Sequence, residues 1–210
     1  MLKDIQLELK QRYALNGILL YVISTIFICY LSFTKIIDTS TWNALFWIIM
    51  LFASINAVSK SFVQESKARQ LYYYTIAGPQ AVILSKIFYN LILIILLSLL
   101  CWAFYSMLIG DLVLNKPVFA LALLLGSCGF SSLLTMIAAI ASKTNNNFSL
   151  MAILSFPIVL PLLLTLIKVS KAAIEGASIY DEGMYLLVLF LINIIIVLLS
   201  YILFPYLWKE

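Results

Sequence analysis

Few side chains in this sequence could do chemistry, and the types that are missing decide more than those present. The 210 residues include no histidine, which removes the commonest metal ligand and the commonest acid–base group near neutral pH. Cys29, Cys101 and Cys128 lie in apolar stretches without CxxC spacing and read as small packing residues. Gly129-Phe130-Ser131-Ser132 sets serines beside a glycine, but no imidazole exists to activate a hydroxyl. Asp111 and Asp181 fall in predicted loops rather than facing each other in mid-membrane. There is no HExxH and no GKS or GKT phosphate loop. No catalytic or metal-binding residue is therefore expected, and no enzyme activity in this chain.

The elements around these residues are membrane spans. The chain is 64% hydrophobic and 10% charged, with mean hydropathy +1.10, whereas soluble domains carry about 25% charged residues. Uncharged runs cover 13–34, 39–59, 87–110, 117–142, 144–167 and 183–208. A bilayer core about 30 Å thick needs roughly 20 helical residues, so the expectation is an all-α integral membrane fold of six transmembrane helices. With six spans both termini share a side. That side receives nine of the thirteen basic residues and the other receives four, which makes the termini cytoplasmic by the positive-inside rule. The net charge of +4 follows from this asymmetry, and nothing points to nucleic acid. The span interiors carry no charge, which argues against a proton-coupled carrier.

The longest polar interruption is Lys60–Lys86, KSFVQESKARQLYYYTIAGPQAVILSK. Its first half, Lys60–Tyr74, has no helix breaker; Gly78-Pro79 ends any such helix, and a second short helix over Gln80–Ser85 leads into the third span. The result is a helical elbow on the cytoplasmic surface. Residues 1–13 read as an amphipathic helix lying in the membrane interface. The spans are placed at 17–33, 42–59, 87–109, 118–142, 148–167 and 184–204. Trp42 and Trp47 are expected as interfacial anchors, and Asn56 as an interhelical hydrogen-bonding residue. The fourth span is crowded with small residues, Gly126 and Gly129 among them, so it is central either to a bundle or to a subunit interface. Pro157 and Pro161 should kink or break the fifth span. The extracytoplasmic segment 168–183 is Ala-rich and could form a short surface helix. An uncharged bundle with such an elbow suits a machine driven by a partner that hydrolyses ATP.

These features together resemble the permease of a type-2 ABC exporter, and more closely the heme exporter protein B family of the cytochrome c maturation system. The likeness is carried by the elbow, by LALLLGSCGFSSLLTMIAAIAS, and by LMAILSFPIVLPLLL with its paired prolines. It implies one permease domain over 1–210 in the bacterial cytoplasmic (inner) membrane. It implies a separate ABC ATPase that binds the ATP, other heme-handling membrane subunits and a periplasmic heme chaperone. Heme enters as possible cargo, with no cofactor assigned to this chain. A half-size permease also implies a homodimer embedded in lipid. The elbow residues implied to couple to the ATPase are Phe62, Glu65, Arg69, Leu71, Gly78 and Pro79. The alternatives are a type-2 permease for another cargo, such as a lipid-linked glycan or a drug, and a non-transporting membrane scaffold.

Overall fold

The computed structural model describes residues 12–33, 38–63, 78–142, 147–178, 180 and 182–209. These residues form six α-helices and no strand: α1 (Arg12–Ser32), α2 (Thr39–Val63), α3 (Pro79–Ile109), α4 (Lys116–Ala141), α5 (Asn147–Glu175) and α6 (Gly183–Lys209). α2 through α6 are each long and apolar enough to cross a membrane, while the apolar part of α1, Asn16–Ser32, is shorter. The helices run up and down. The end where α2 stops and α3 starts is called the elbow end, and the opposite one the far end. Residues 1–11, 34–37, 64–77 and 143–146 lie outside the described set. That covers most of the expected interfacial helix, most of the elbow and most of the KTNNN turn.

α4 is the axis. Of its span 72% is buried, against 17% for α6, and this places it at the centre of the bundle within one chain. The cause is its run of small residues. A Cβ on Gly126 would meet the Trp47 ring at 3.0 Å and Leu166 at 3.1 Å; on Gly129 it would meet Leu162 at 2.6 Å and Asn193 Oδ1 at 3.2 Å. Lipid tails give helices no hydrophobic reason to associate, so close packing has to supply the attraction. α6 buries Leu189, Asn193 and Ser200, with Tyr185, Leu186, Ile192, Ile196 and Phe204 partly buried beside them. Most hydroxyls inside the helices bond the carbonyl one turn back, as in Thr25 to Tyr21 O, Ser155 to Met151 O and Ser200 to Ile196 O, which satisfies them where no water is present.

Helix ends follow local chemistry. Asp38 caps α2: its carboxylate accepts from the Thr41 amide at 3.1 Å and from the Thr41 hydroxyl. Those bonds hold the exposed Asp38 carboxyl below the usual carboxylate range. Gly176, at φ +89, ends α5. The Gly176 and Ala177 amides bond Ala173 O and Ala172 O, a left-handed turn that glycine adopts without a Cβ penalty.

Three expectations are corrected. Of the expected kink or break in α5 the break is absent, since one helix runs through Pro157 and Pro161, and both prolines sit on its exposed face, where their rings displace no packed neighbour. It also continues to Glu175, so residues 168–175 are no separate surface helix; nothing before Gly176 stops it. Third, α3 begins at Pro79 without interruption, so Gln80–Ser85 is its first turns and not a distinct element. Proline is well suited to the first helical position, where its missing N–H is no loss.

Gly129→Val should destabilise the fold by about 1–3 kcal/mol through overpacking against Leu162. Gly183→Ala, with nothing within 4 Å of the new Cβ, should leave stability unchanged. Thermal unfolding of the two purified variants in detergent checks the contrast.

Candidate functional site

The candidate site begins where the elbow meets the bundle. Phe62 lies in the last turn of α2, while Glu65, Arg69 and Leu71 lie outside the described residues. Gly78 is exposed, extended at φ −65 and ψ 147, and caps α3 without a side-chain hydrogen bond. Any residue tolerates that conformation before a proline. From Pro79 the helix runs 31 residues, about 46 Å at 1.5 Å per residue. That exceeds a 30 Å hydrocarbon core by several turns. Lys86 falls inside this helix and is buried.

Beyond Lys86, α3 and α4 share a polar seam. Ser131 Oγ donates to Ile87 O at 2.6 Å, Asn90 Nδ2 to Thr135 Oγ1 at 2.8 Å, and Ser127 Oγ to Ser98 Oγ at 3.3 Å. Ser98, Ser127, Ser131, Thr135 and Asn90 are all fully or almost fully buried. Asn90 Oδ1 is buried with no hydrogen-bond partner among the described residues. An interhelical hydrogen bond in a membrane contributes about 0.6 kcal/mol on average, whereas an unsatisfied buried acceptor costs about 1–3 kcal/mol. The Asn90 rung is therefore close to neutral or unfavourable for stability.

The far end is built differently. Trp42 and Trp47, expected at the membrane interface, are instead in the core. Trp42 Nε1 donates to Gly110 O at 3.0 Å, and Tyr105 OH donates to Trp42 O at 2.9 Å. The Trp42 ring packs edge-on against Tyr105, with centroids 4.8 Å apart, and stacks on Phe46 at 5.9 Å. Trp47 Nε1 donates to Ser170 Oγ at 2.7 Å. The Ser170 hydroxyl has one proton to give, to Asn43 Oδ1 at 2.7 Å or Leu166 O at 2.6 Å. Asn43 Nδ2 closes the chain on Ile167 O at 2.7 Å. Asn43, not Asn56, is thus the interhelical amide of α2; Asn56 bonds Phe52 O within its own helix. The sequence signal was the Trp-Asn pair Trp42-Asn43, whose polarity passes for interfacial character. Asn115 joins α4 to α5, its amide on Ala173 O at 2.9 Å and its Nδ2 on Ala177 O at 2.8 Å. Beside it, Asp111 pairs with Lys116 at 2.9 Å, and that ammonium holds the Asp111 carboxyl below its usual range.

Gly126 and Gly129 thus serve packing at the α4 axis, and Pro157 and Pro161 lie on the outward side of α5. Back at the elbow end, Gln80 of α3 and Tyr201, Ile202, Pro205 and Tyr206 of α6 line a cleft of about 350 Å³. Among the described residues no group of three or more His, Cys, Asp or Glu side chains could hold a metal ion. The described site offers mechanical connection and buried hydrogen bonds, with no group arranged for bond-making chemistry.

A family model described as CcmB protein matches residues 1–205. The chain belongs to that family, and is a multi-pass membrane permease component of heme export and cytochrome c biogenesis. The family works with an ATPase and other components of the heme exporter complex. No curated protein and no solved structure matches the chain.

An uninterrupted α3 makes a sharp prediction. Ser85→Pro, set inside its second turn, should cost about 3 kcal/mol or more and lower the unfolding temperature of the purified protein. A hinge between residues 85 and 87 would tolerate the change.

Proposed function

We propose, with CcmB family membership as the premise, that this chain transmits force rather than conducting heme through side-chain ligands. A separate ABC ATPase docks on the elbow through Phe62, Glu65, Arg69, Leu71, Gly78 and Pro79. ATP hydrolysis in that partner moves the bundle, and the movement delivers heme to, or releases it on, a periplasmic heme chaperone with the help of other heme-handling membrane subunits. The observation that carries this reading is the unbroken α3. It joins Gly78-Pro79 to the far surface with no glycine or proline between Pro79 and Gly110, so a displacement at the elbow is not absorbed by a bend. The absence of histidine from the whole chain leaves Met, Cys or Tyr as the remaining axial ligands for heme iron. Cys101 is buried in the core, which favours a packing role for it.

The topology in this reading is six spans, with α1 as the sixth, residues 1–13 lying in the interface and both termini in the cytoplasm of a bacterial cell with the chain in its inner membrane. Two copies form the transporter. The outward face of α5 favours that assembly. Ile153, Phe156, Leu160 and Leu164 are exposed on it together with Pro157 and Pro161. Pro157 has no N–H to offer Ile153 O, nor Pro161 to offer Pro157 O. Lipid tails donate no hydrogen bond to such carbonyls, so covering this face with a protein surface that carries donors would satisfy them.

Two outcomes are expected. Glu65→Lys and Arg69→Glu should each abolish maturation of c-type cytochromes while membrane insertion and amount survive; normal maturation in both would sink the coupling assignment. Ile153→Cys, in a chain freed of its three native cysteines, should cross-link two copies in membranes, and an absence of cross-links would remove α5 from the dimer contact. Mild-detergent pull-down of the tagged chain, with an ATPase assay on the eluate, tests the partner directly.

A further inference from the structure

The hydrogen bonds that join α3 to its neighbours differ in kind at the two ends of the bundle. At the far end the acceptor at the end of α3 is a terminal carbonyl: Gly110 O follows the last residue of α3, where intrahelical donors run out. Trp42 Nε1 supplies that donor, and Tyr105 OH of α3 donates in turn to Trp42 O. Separating α2 from α3 there would break both bonds. The aromatic packing of Trp42, Phe46, Tyr105 and Phe119, with the Phe46–Phe119 centroids 5.5 Å apart, would be lost as well.

Nearer the elbow the same operation strands little. Ile87 O lies inside α3 and keeps its intrahelical donor when Ser131 leaves. Ser131 and Thr135 are residue types whose hydroxyls can turn back to a carbonyl of their own helix. Asn90 already has one unsatisfied oxygen, so parting from Thr135 and meeting water relieves that atom. The seam is therefore metastable on its elbow side and firmly tied on its far side.

We propose that Asn90, Ser131 and Thr135 form a latch between α3 and α4. It opens when the elbow is driven, and α3 then swings as a stiff lever about the far-end ties of Trp42 and Tyr105. This rests on the coupling reading above. The latch explains why an amide with an unmatched oxygen sits at a fully buried position of a membrane helix. A rung without that unmatched oxygen would give a firmer seam and a slower machine.

The test uses the full complex in cell membranes, with yield of matured c-type cytochrome as turnover and co-purification of the ATPase as assembly. Asn90→Leu combined with Thr135→Val removes the polar rung. The expected result is a chain at least as heat-stable as the wild type that still binds its ATPase but matures cytochrome roughly tenfold less, as a coupling equilibrium shifted by one order would give. Should that variant fail to fold, cysteine pairs decide, in a background without native cysteines. Asn90→Cys with Thr135→Cys should stop turnover on oxidation and recover on reduction, whereas Asn115→Cys with Ala177→Cys should cross-link without effect. Unchanged turnover in the locked elbow-side pair, with the ATPase bound and active, overturns the latch and leaves coupling standing. Failure of the wild-type chain to bring down an ATPase overturns the coupling reading, and the latch with it.

Discussion

The structure depends on the closeness with which α4 meets its neighbours at Gly126 and Gly129. In a bilayer the apolar side chains of a helix gain nothing by leaving lipid for protein, so contact density and satisfied polar groups must hold the bundle. The missing side chain at Gly126 leaves room for the Trp47 ring. With that ring seated, its N–H reaches Ser170, whose hydroxyl faces Asn43, whose amide reaches Ile167 O. One absent Cβ thereby sets the α2–α5 contact as well as the α2–α4 contact. Gly129 does the same for Leu162 of α5 and Asn193 of α6, and Asn193 Nδ2 reaches Leu125 O on α4 at 3.2 Å.

Stiffness and looseness are distributed along the bundle axis. At the far end Asp38 caps α2, Asn115 caps α4 and Gly176 ends α5, and the rings of Trp42, Phe46, Tyr105 and Phe119 pack together. Toward the elbow the α3–α4 contact passes to hydroxyls and an amide. In the proposed coupling, the bundle has a stationary end and a movable one. These two kinds of hydrogen bond give different costs for opening, because a terminal carbonyl has no alternative donor and a mid-helix carbonyl does.

Several residues looked different in the sequence from what they are in the fold. Trp42 and Trp47 had the spacing of a membrane-interface pair, yet both rings are inside, each with its N–H bonded to another helix. Asn43 was hidden beside them, and Asn56 drew the attention that Asn43 merited. Pro157 and Pro161 announced a kink or a break; no break occurs, since an outward-facing proline leaves the packed face of α5 intact, and Val159, Leu162 and Leu166 stay buried on it. Interface and core tryptophans share one composition. Only the direction of the side chain separates them, and direction depends on a neighbour that the linear order does not name.

What the sequence determined by itself is the class of object. Runs of uncharged residues long enough to cross a bilayer, a basic bias to one side, the absence of histidine and the polar interruption before Gly78-Pro79 together exclude a soluble enzyme. The small residues of the fourth span already marked it for close packing. These are properties of composition and period, set by the cost of polar groups in hydrocarbon, and they need no partner to be read. The tertiary structure decided which helix is the axis, which polar groups meet, and that α3 runs unbroken from Pro79. Those depend on contacts between residues as far apart as Asn43 and Ser170. A hydrogen bond across more than a hundred residues is decided by how helices rotate about their axes to pack, and no stretch of either helix alone contains that rotation.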